Sequence, residues 1–103
     1  MKRFDVCPSI GAGVVGRGRL VVVLQHEYLN ELGTLVVAPL FDRSMLERIE
    51  RLRPLVQVAG RSYVVAVDRL ASLPARQLAA PVANLEASRY ELTKALDFLF
   101  AGF

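Results

Sequence analysis

The hydrophobic residues of the chain fall into short, β-branched runs that glycine and proline separate. Residues 20–24 (LVVVL) and 34–38 (TLVVA) form two such runs, and their unbroken apolar character predicts strands that are buried on both faces. We expect Pro39 to end the second strand, because proline cannot donate a hydrogen bond to a sheet ladder. Residues 3–7 predict a shorter first strand, which Pro8 closes.

Two more apolar runs, residues 55–58 and 62–67, predict a β-hairpin with a short turn between its strands. The preceding segment has a different pattern. Ser44 with Glu47 three residues later matches a helix capping box, and the apolar residues that follow recur at helical spacing. This pattern predicts one or two helical turns before Pro54.

Residues 84–100 show the periodicity of a longer helix. Ser88 is a candidate cap for its start, and Gly102 is the type of residue that ends a helix. One face of this helix carries Leu85, Leu92, Leu96, Leu99 and Phe103. The chain is therefore predicted to be mainly β, with four or five strands and one C-terminal α-helix, in a single domain over residues 1–103.

The composition changes this picture in one respect. Hydrophobic residues make up 53% of only 103 residues. A domain of this size buries roughly two-thirds of its unfolded surface, so a monomer would leave much apolar surface exposed. We therefore expect a homodimer. The single Cys7 indicates a reducing compartment, and the chain has neither a signal peptide nor an apolar run long enough to span a membrane, so a cytoplasmic location is expected.

The basic residues are spread along the chain, which argues against direct binding of nucleic acid. The net charge is +3, and 11 of the 13 basic residues are arginine. Arginine suits bidentate contact with carboxylates and phosphates. Neither a clear catalytic group nor a metal or cofactor site stands out, because His26 and Cys7 are single and distant in sequence and give too few ligands for zinc. An arginine and a carboxylate could still cleave RNA, and Arg17 and Arg19 beside the glycine-rich segment are the candidates for that chemistry.

Several segments, taken in order, resemble the CcdB toxins of bacterial toxin–antitoxin systems. Their order and spacing carry the resemblance, which extends over nearly the whole chain. The segments are residues 19–25 (RLVVVLQ), 35–40 (LVVAPL), 55–63 (LVQVAGRSY), 68–74 (DRLASLP), 81–85 (PVANL) and 95–103 (ALDFLFAGF). The resemblance implies an SH3-like barrel of the CcdB/MazF type with a C-terminal helix, a homodimer, and a loop rather than a helix around residues 42–53.

CcdB toxins are not enzymes; they bind the A subunit of DNA gyrase and trap gyrase on cleaved DNA. The best-known members end in Trp-Gly-Ile, which dominates that contact, whereas this chain ends in Ala101, Gly102 and Phe103. The tryptophan position is thus alanine, and Phe103 supplies an aromatic ring two residues later. The other residues that the resemblance places at the gyrase contact are Gln25, His26, Tyr28, Lys94 and Asp97.

The resemblance also implies a CcdA-like antitoxin with a disordered acidic segment that folds on binding. Basic residues would contact this segment, and the candidates are Arg17, Arg19, Arg43 and Arg48. Two alternatives stay open. One is a ribonuclease toxin of the MazF kind, and the other is a diverged, non-toxic homologue that still binds an antitoxin.

Overall fold

The computed structural model describes residues 1–11, 13 and 15–103, and within them the strands form one antiparallel sheet. The strands are β1 (Asp5–Pro8), β2 (Leu20–Val23), β3 (Thr34–Asp42), β4 (Leu55–Val58), β5 (Arg61–Val65), β6 (Ala71–Pro74) and β7 (Ala83–Asn84), and the helix is α1 (Arg89–Ala101). Short 3-10 turns lie at Glu27–Leu32, Val67–Arg69, Ala75–Gln77 and Glu86–Ser88. The predicted class, a mainly β barrel of the CcdB/MazF type with one C-terminal helix, is confirmed.

Strand β3 is the centre of the sheet, because it pairs with three other strands. Strand β2 pairs with one side, in the register Val22 to Ala38. On the other side, β6 pairs with the first half of β3 and β5 pairs with the last part. This change of partner bends β3 between two sheet segments, so that the sheet curls into a nearly closed barrel.

Pro39 does not end β3, so that prediction was wrong. The carbonyl oxygen of Pro39 accepts a hydrogen bond from the Ala66 N–H at 2.9 Å, so the polar groups of Pro39 face away from β2. On the edge of β3 opposite β2, the pairing with β6 ends at Val37 and the pairing with β5 begins at Leu40, so Pro39 lies between the two partner strands. The missing N–H of proline therefore falls where the ladder is already interrupted, and the strand continues to Asp42.

The prediction that β2 is buried on both faces is confirmed, because its side chains enter two separate cores. Val22 packs in a core with Leu92 and Ala95 of the helix. Val21 and Val23 point to the other face, into a core that also contains Leu35, Val37 and Leu73. Full burial of one such side chain stabilises the fold by roughly 2 kcal/mol, so β2 contributes to both cores at once.

The helix begins at Arg89, so Ser88 occupies the N-cap position as predicted, whereas the helical periodicity of the sequence extends back to residue 84. Residues 86–88 form a 3-10 turn, and the Asn84 side-chain oxygen accepts a hydrogen bond from the Glu86 N–H at 2.8 Å. The side chain of Ser88 makes no capping hydrogen bond. Gly102 ends the helix as predicted, with a left-handed φ of 84° and an N–H that donates to the Phe98 carbonyl at 3.0 Å. None of the described helices is long and apolar enough to span a membrane.

The helix predicted around residues 44–52 is absent from the structure. This segment, here called the connecting loop (residues 43–53), is a series of turns. The Asp42 carboxylate accepts hydrogen bonds from the backbone N–H and the hydroxyl of Ser44. The Ser44 side chain therefore binds a residue that precedes it in the chain and does not cap a helix that follows it. At the other end of the loop, Arg53 forms a bidentate ion pair with Asp68 at 2.9 and 2.8 Å.

Candidate functional site

A cleft of about 420 Å³ lies between residues 15–20 and the strands β3 and β5. We call it the arginine groove. Its charged side chains are Arg17, Arg19, Arg61 and Asp42. Its apolar and aromatic lining comes from Leu20, Leu40, Met45 and Tyr63. Three guanidinium groups and one carboxylate thus face a surface that is partly apolar.

Ser9 holds the segment that carries two of these arginines. It is buried, and its hydroxyl donates a hydrogen bond to the Gly16 carbonyl oxygen. The Ser9 carbonyl accepts from the Gly18 N–H at 2.7 Å, and the Ser9 N–H donates to the Arg19 carbonyl at 2.9 Å. Gly16 and Gly18 have φ values of 86° and 79°, a region that other residues rarely adopt. Ser9 is a functional candidate that sequence reasoning missed, because nothing in its local pattern indicates burial.

Arg19 is fixed in the groove by two contacts. Its Nη1 donates to the Leu40 carbonyl oxygen at 3.2 Å, and its guanidinium lies 4.1 Å from the centre of the Phe41 ring. Arg69 approaches the same ring at 5.3 Å. A cation over an aromatic face gains roughly 0.5–2 kcal/mol, so Arg19 presents a positioned charge rather than a mobile one.

Asp42 and Arg61 form the acidic and basic pair at the end of the groove. Arg61 Nη2 lies 3.3 Å from the carboxylate, which Ser44 also binds at 2.8 and 3.0 Å. The hydrogen bonds from Ser44, and then the charge of Arg61, hold the pKa of Asp42 below its ordinary value. The carboxylate is therefore ionised at neutral pH. Arg61 was not among the arginines singled out from the sequence, because the sheet brings it to this site from a distant part of the chain.

The second candidate region is the C-terminal end of α1, here called the aromatic tip (residues 100–103). Phe103 is 82% exposed and Phe100 is 73% exposed. Phe103 was expected on the buried helix face, but the chain leaves the helix at Gly102, so its ring lies outside the core. Phe100 was missed because it falls outside the leucine-bearing face of α1.

A cavity of about 390 Å³ lies beside the aromatic tip, between the helix and the connecting loop. It is lined by Arg51, Pro54, Tyr90, Glu91, Lys94 and Phe103. Arg51 adopts a left-handed φ of 71°, and its guanidinium lies 4.4 Å from the centre of the Phe98 ring. Lys94 Nζ lies 5.6 Å from the Tyr90 ring centre. Aromatic rings and cations therefore alternate along this side of the helix.

The structure divides the expected gyrase-facing residues into two groups. Lys94, Asp97 and residues 101–103 lie on or after α1, whereas Gln25, His26 and Tyr28 lie at the turn after β2. Among the described residues, no hydrogen bond, ion pair or ring contact joins the two groups within one chain.

In the turn after β2, two of the three residues have evident structural contacts. Gln25 donates to the carbonyl oxygens of Leu29 and Thr34 at 3.3 and 3.0 Å. His26 Nδ1 accepts from the Tyr28 N–H at 3.1 Å, which caps the turn. Tyr28 is 87% exposed, and its ring centre lies 4.4 Å from that of the exposed His26, so the two rings face solvent together.

The expected antitoxin residues are divided as well. Arg17 and Arg19 line the arginine groove, whereas Arg43 and Arg48 are exposed on the connecting loop outside its lining.

The structure contains few groups suited to catalysis. Cys7 is buried beside Met1, and burial raises the pKa of its thiol, so it is not a ready nucleophile. His26 is exposed on its turn and does not contact Cys7. Within the described part of the chain, no three histidine, cysteine or acidic residues form a group that could hold a metal ion.

The curled antiparallel sheet and its C-terminal helix have the architecture of the CcdB/MazF-type barrel, and comparisons with known proteins agree. The family model described as "CcdB protein" matches residues 3–102. The chain therefore belongs to the CcdB family. No individual curated protein sequence matches it significantly.

Solved structures with a similar fold include a mycobacterial endoribonuclease in complex with its cognate antitoxin, with a TM-score of 0.78 and 14% identity over 98% of this chain and 95% of that one. The Mycobacterium tuberculosis toxin MazF-mt6 has a TM-score of 0.76 and 18% identity over 94% of this chain and 96% of its own. A further M. tuberculosis toxin has a TM-score of 0.75 and 20% identity over 92% of this chain and 99% of its own. At these identities the likeness establishes the fold. The family match supports the assignment of the chain as a toxin of a toxin–antitoxin system.

Proposed function

We propose that this chain acts as a homodimeric toxin that binds the A subunit of DNA gyrase through the aromatic tip and poisons the enzyme. A CcdA-like antitoxin would neutralise the toxin. Both partners, gyrase and the antitoxin, would bind it in the cytoplasm. The observation that carries the proposal is the pair of exposed rings, Phe100 and Phe103, at the end of α1.

Exposed aromatic rings at a helix end have the properties of a protein-binding hot spot. Large rings on a rigid support desolvate much area at little cost in conformational entropy. The left-handed Gly102 turns the chain out of the helix, so the Phe103 ring is directed away from the core. Ala101 stands where the best-known members have tryptophan, and the rings of Phe100 and Phe103 supply aromatic surface instead.

The proposal of a homodimer rests on apolar surface that one copy leaves uncovered. Met45 and Ile49 of the connecting loop are 75% and 39% exposed, and Leu55 at the start of β4 is 37% exposed. A soluble protein rarely leaves such residues together in water.

A cleavage-complex assay with purified gyrase from the organism that encodes the chain tests the proposal. The wild-type protein is expected to trap cleaved DNA, and the double variant Phe100→Ala/Phe103→Ala should need at least about a hundredfold higher concentration for the same trapping. The matched control is Ile10→Ala/Val82→Ala, which removes two other exposed apolar side chains and should leave trapping unchanged. Absence of trapping by folded, dimeric wild-type protein would refute the proposal.

A second candidate function is RNA cleavage in the arginine groove, which Arg17, Arg19 and Asp42 favour together with the endoribonuclease neighbours. The carboxylate would accept the proton of a 2′ hydroxyl, whose oxygen would bond to the adjacent phosphorus as the bond from phosphorus to the 5′ oxygen breaks. The guanidiniums would stabilise the negative charge on the phosphoryl oxygens, and water would protonate the departing 5′ oxygen. The hydrogen bonds from Ser44 and Arg61 make Asp42 a weak base, which is why this function ranks second. RNA cleavage by the wild-type protein that Asp42→Asn abolishes would reverse the ranking.

A further inference from the structure

The cavity beside the aromatic tip, here called the tip cavity, has the size and the lining of a small-molecule site. Its volume of about 390 Å³ falls within the range of roughly 300–1,000 Å³ that is typical of ligand pockets. Tyr90 and Phe103 border it, and these side chains are 69% and 82% exposed. Pro54 adds a further apolar surface. The tip cavity therefore offers flat apolar surfaces to an aromatic ligand.

Charged side chains of both signs line the same cavity without neutralising one another. Arg51 and Lys94 are its cations, and Glu91 is its carboxylate. All three side chains are exposed, and none of them forms an ion pair with another described residue. A ligand can therefore use these charges without first breaking an ion pair.

Arg51 is held in position although it is exposed. It lies in a turn in which the N–H groups of Leu52 and Arg53 donate to the Ile49 carbonyl oxygen at 3.2 and 2.8 Å. Its left-handed φ of 71° is a conformation that persists where surrounding contacts fix the backbone. Its guanidinium lies 4.4 Å from the centre of the Phe98 ring. The ring contacts the guanidinium group, and the N–H groups of Arg51 are left for an anion.

A ligand for this cavity needs three chemical features. It needs a flat aromatic body for Tyr90 and Phe103, because aromatic side chains and bases gain free energy by stacking. It needs an anionic group for Arg51 and Lys94, since guanidinium and ammonium groups bind phosphate through charge-assisted hydrogen bonds. It needs an N–H donor for Glu91, because an ionised carboxylate only accepts hydrogen bonds. A purine nucleotide has all three.

Guanine matches the carboxylate better than adenine does. The N1–H and N2–H donors of guanine are adjacent on one edge, so both oxygens of Glu91 can accept hydrogen bonds at once. Adenine has an acceptor beside its amino group on the same edge and offers Glu91 a single hydrogen bond.

We infer that the tip cavity binds a free guanosine nucleotide. The base stacks on Tyr90 and Phe103 and donates to Glu91. The phosphate binds Arg51 and Lys94. A nucleotide within an RNA chain fits less well, because the described lining contains no further cation for a second phosphate. The inference goes beyond the proposed function, since the contact with gyrase requires no such ligand.

Calorimetric titration of the full-length protein with guanosine 5′-monophosphate (GMP) tests the inference. GMP should bind with a Kd below about 1 mM. Each lost charge-assisted hydrogen bond weakens binding about tenfold, so Arg51→Gln/Lys94→Gln should raise the Kd about a hundredfold. The matched control Arg43→Gln/Arg48→Gln removes the same charge from the connecting loop outside the lining, and it should change the Kd by less than about threefold.

The two exposed phenylalanines provide a second matched pair of variants. Phe103→Ala removes a stacking surface and should raise the Kd for GMP about tenfold. Phe100→Ala removes an equally large ring that lies outside the lining, and it should leave the Kd unchanged. Circular dichroism and thermal melting verify that each variant is folded.

Base selectivity provides a measurement that a purely structural role of Glu91 would not affect. The wild type should bind GMP about tenfold more tightly than adenosine 5′-monophosphate (AMP). In Glu91→Gln, the amide keeps one acceptor oxygen and places a donor where the second oxygen was. This variant should therefore lose affinity for GMP about tenfold and bind AMP as the wild type does.

Three results would overturn the inference: a Kd for GMP above about 1 mM, equal losses in the cavity variants and their matched controls, or tighter binding of a guanosine tetranucleotide RNA than of GMP. The titration contains no gyrase, so its outcome is independent of the cleavage-complex assay.

Discussion

The arginine groove and the aromatic tip differ in how their side chains are held. In the groove, Arg19 is fixed by a hydrogen bond and a ring contact, and the segment before it is tied to the buried Ser9. At the tip, Phe100 and Phe103 project into solvent. The groove is thus built by long-range contacts within the barrel, whereas the rings of the tip are carried by the helix and its glycine end, with the connecting loop beside them. Changes in the barrel should therefore affect the groove first.

The largest expected effect comes from removal of the Ser9 hydroxyl. Ser9→Ala leaves the part-buried Gly16 carbonyl with only the long hydrogen bond of 3.4 Å from the Arg19 N–H, which should lower the free energy of unfolding by about 2 kcal/mol. The loosened segment should also weaken binding of the CcdA-like antitoxin, because it carries the candidate contacts Arg17 and Arg19. Denaturant unfolding and a titration with the antitoxin measure the two effects.

Ser72→Ala is the matched control for this experiment, because Ser72 is exposed on β6 and makes no side-chain hydrogen bond to another described residue. Gyrase trapping by folded Ser9→Ala protein should equal that of the wild type. An equal loss of trapping and antitoxin binding would contradict the distinction between a built groove and an independent tip.

The ion pair between Arg53 and Asp68 connects the two regions. It fixes the end of the connecting loop, whose Met45 lines the groove and whose Arg51 lines the tip cavity. The side chains are 14% and 24% exposed, so solvent screens the pair only in part. Asp68→Asn should therefore cost about 1.5 kcal/mol of stability at neutral pH, and it should reduce both antitoxin binding and gyrase trapping.

The pH dependence of this loss has a definite sign. Hydrogen bonds from Arg53 hold the pKa of Asp68 below its ordinary value in the folded protein. The stabilisation is therefore fully present above the unfolded pKa of about 4 and is lost as the pH falls through the folded value. The stability difference between wild type and Asp68→Asn should shrink when unfolding is measured at pH 3 instead of pH 7. Glu31→Gln, an exposed control, should show little difference at either pH; a difference for Asp68→Asn that stays constant with pH would exclude the ion pair as its cause.

The parts of the fold that sequence could predict are those that local pattern determines. The apolar run of β2 requires burial on both faces, and Gly102 ends the helix by its own conformational freedom. Pro39 was misjudged because its tolerance depends on where two other strands meet β3. The prediction of a helix after Ser44 was wrong, because the backbone N–H and the hydroxyl of Ser44 donate hydrogen bonds to Asp42, which lies outside the capping-box pattern.

The candidate sites were predictable to different degrees for the same reason. The tip residues 101–103 lie together in sequence, so a family resemblance alone could single them out. The arginine groove combines the segment after Ser9 with Arg61, some forty to fifty positions later, and only the pairing of β5 with β3 brings them together. Sequence reasoning therefore found Arg17 and Arg19 but not the third arginine.

The smallest expected effect concerns Ala101, one of the two positions among the last three residues at which this chain departs from the best-known toxins. Ala101→Trp adds a large ring between Phe100 and Phe103 at the exposed last residue of α1, so it should not change stability. If the tip already binds gyrase through its phenylalanines, the added ring should improve trapping by about tenfold, the contribution of one additional aromatic contact. The cleavage-complex assay measures this gain, and Ala87→Trp, on an exposed position before the helix, controls for the mere addition of an indole ring. Trapping that appears only with Ala101→Trp and is absent from the wild type would mean that the chain is the diverged, non-toxic homologue, which still binds an antitoxin.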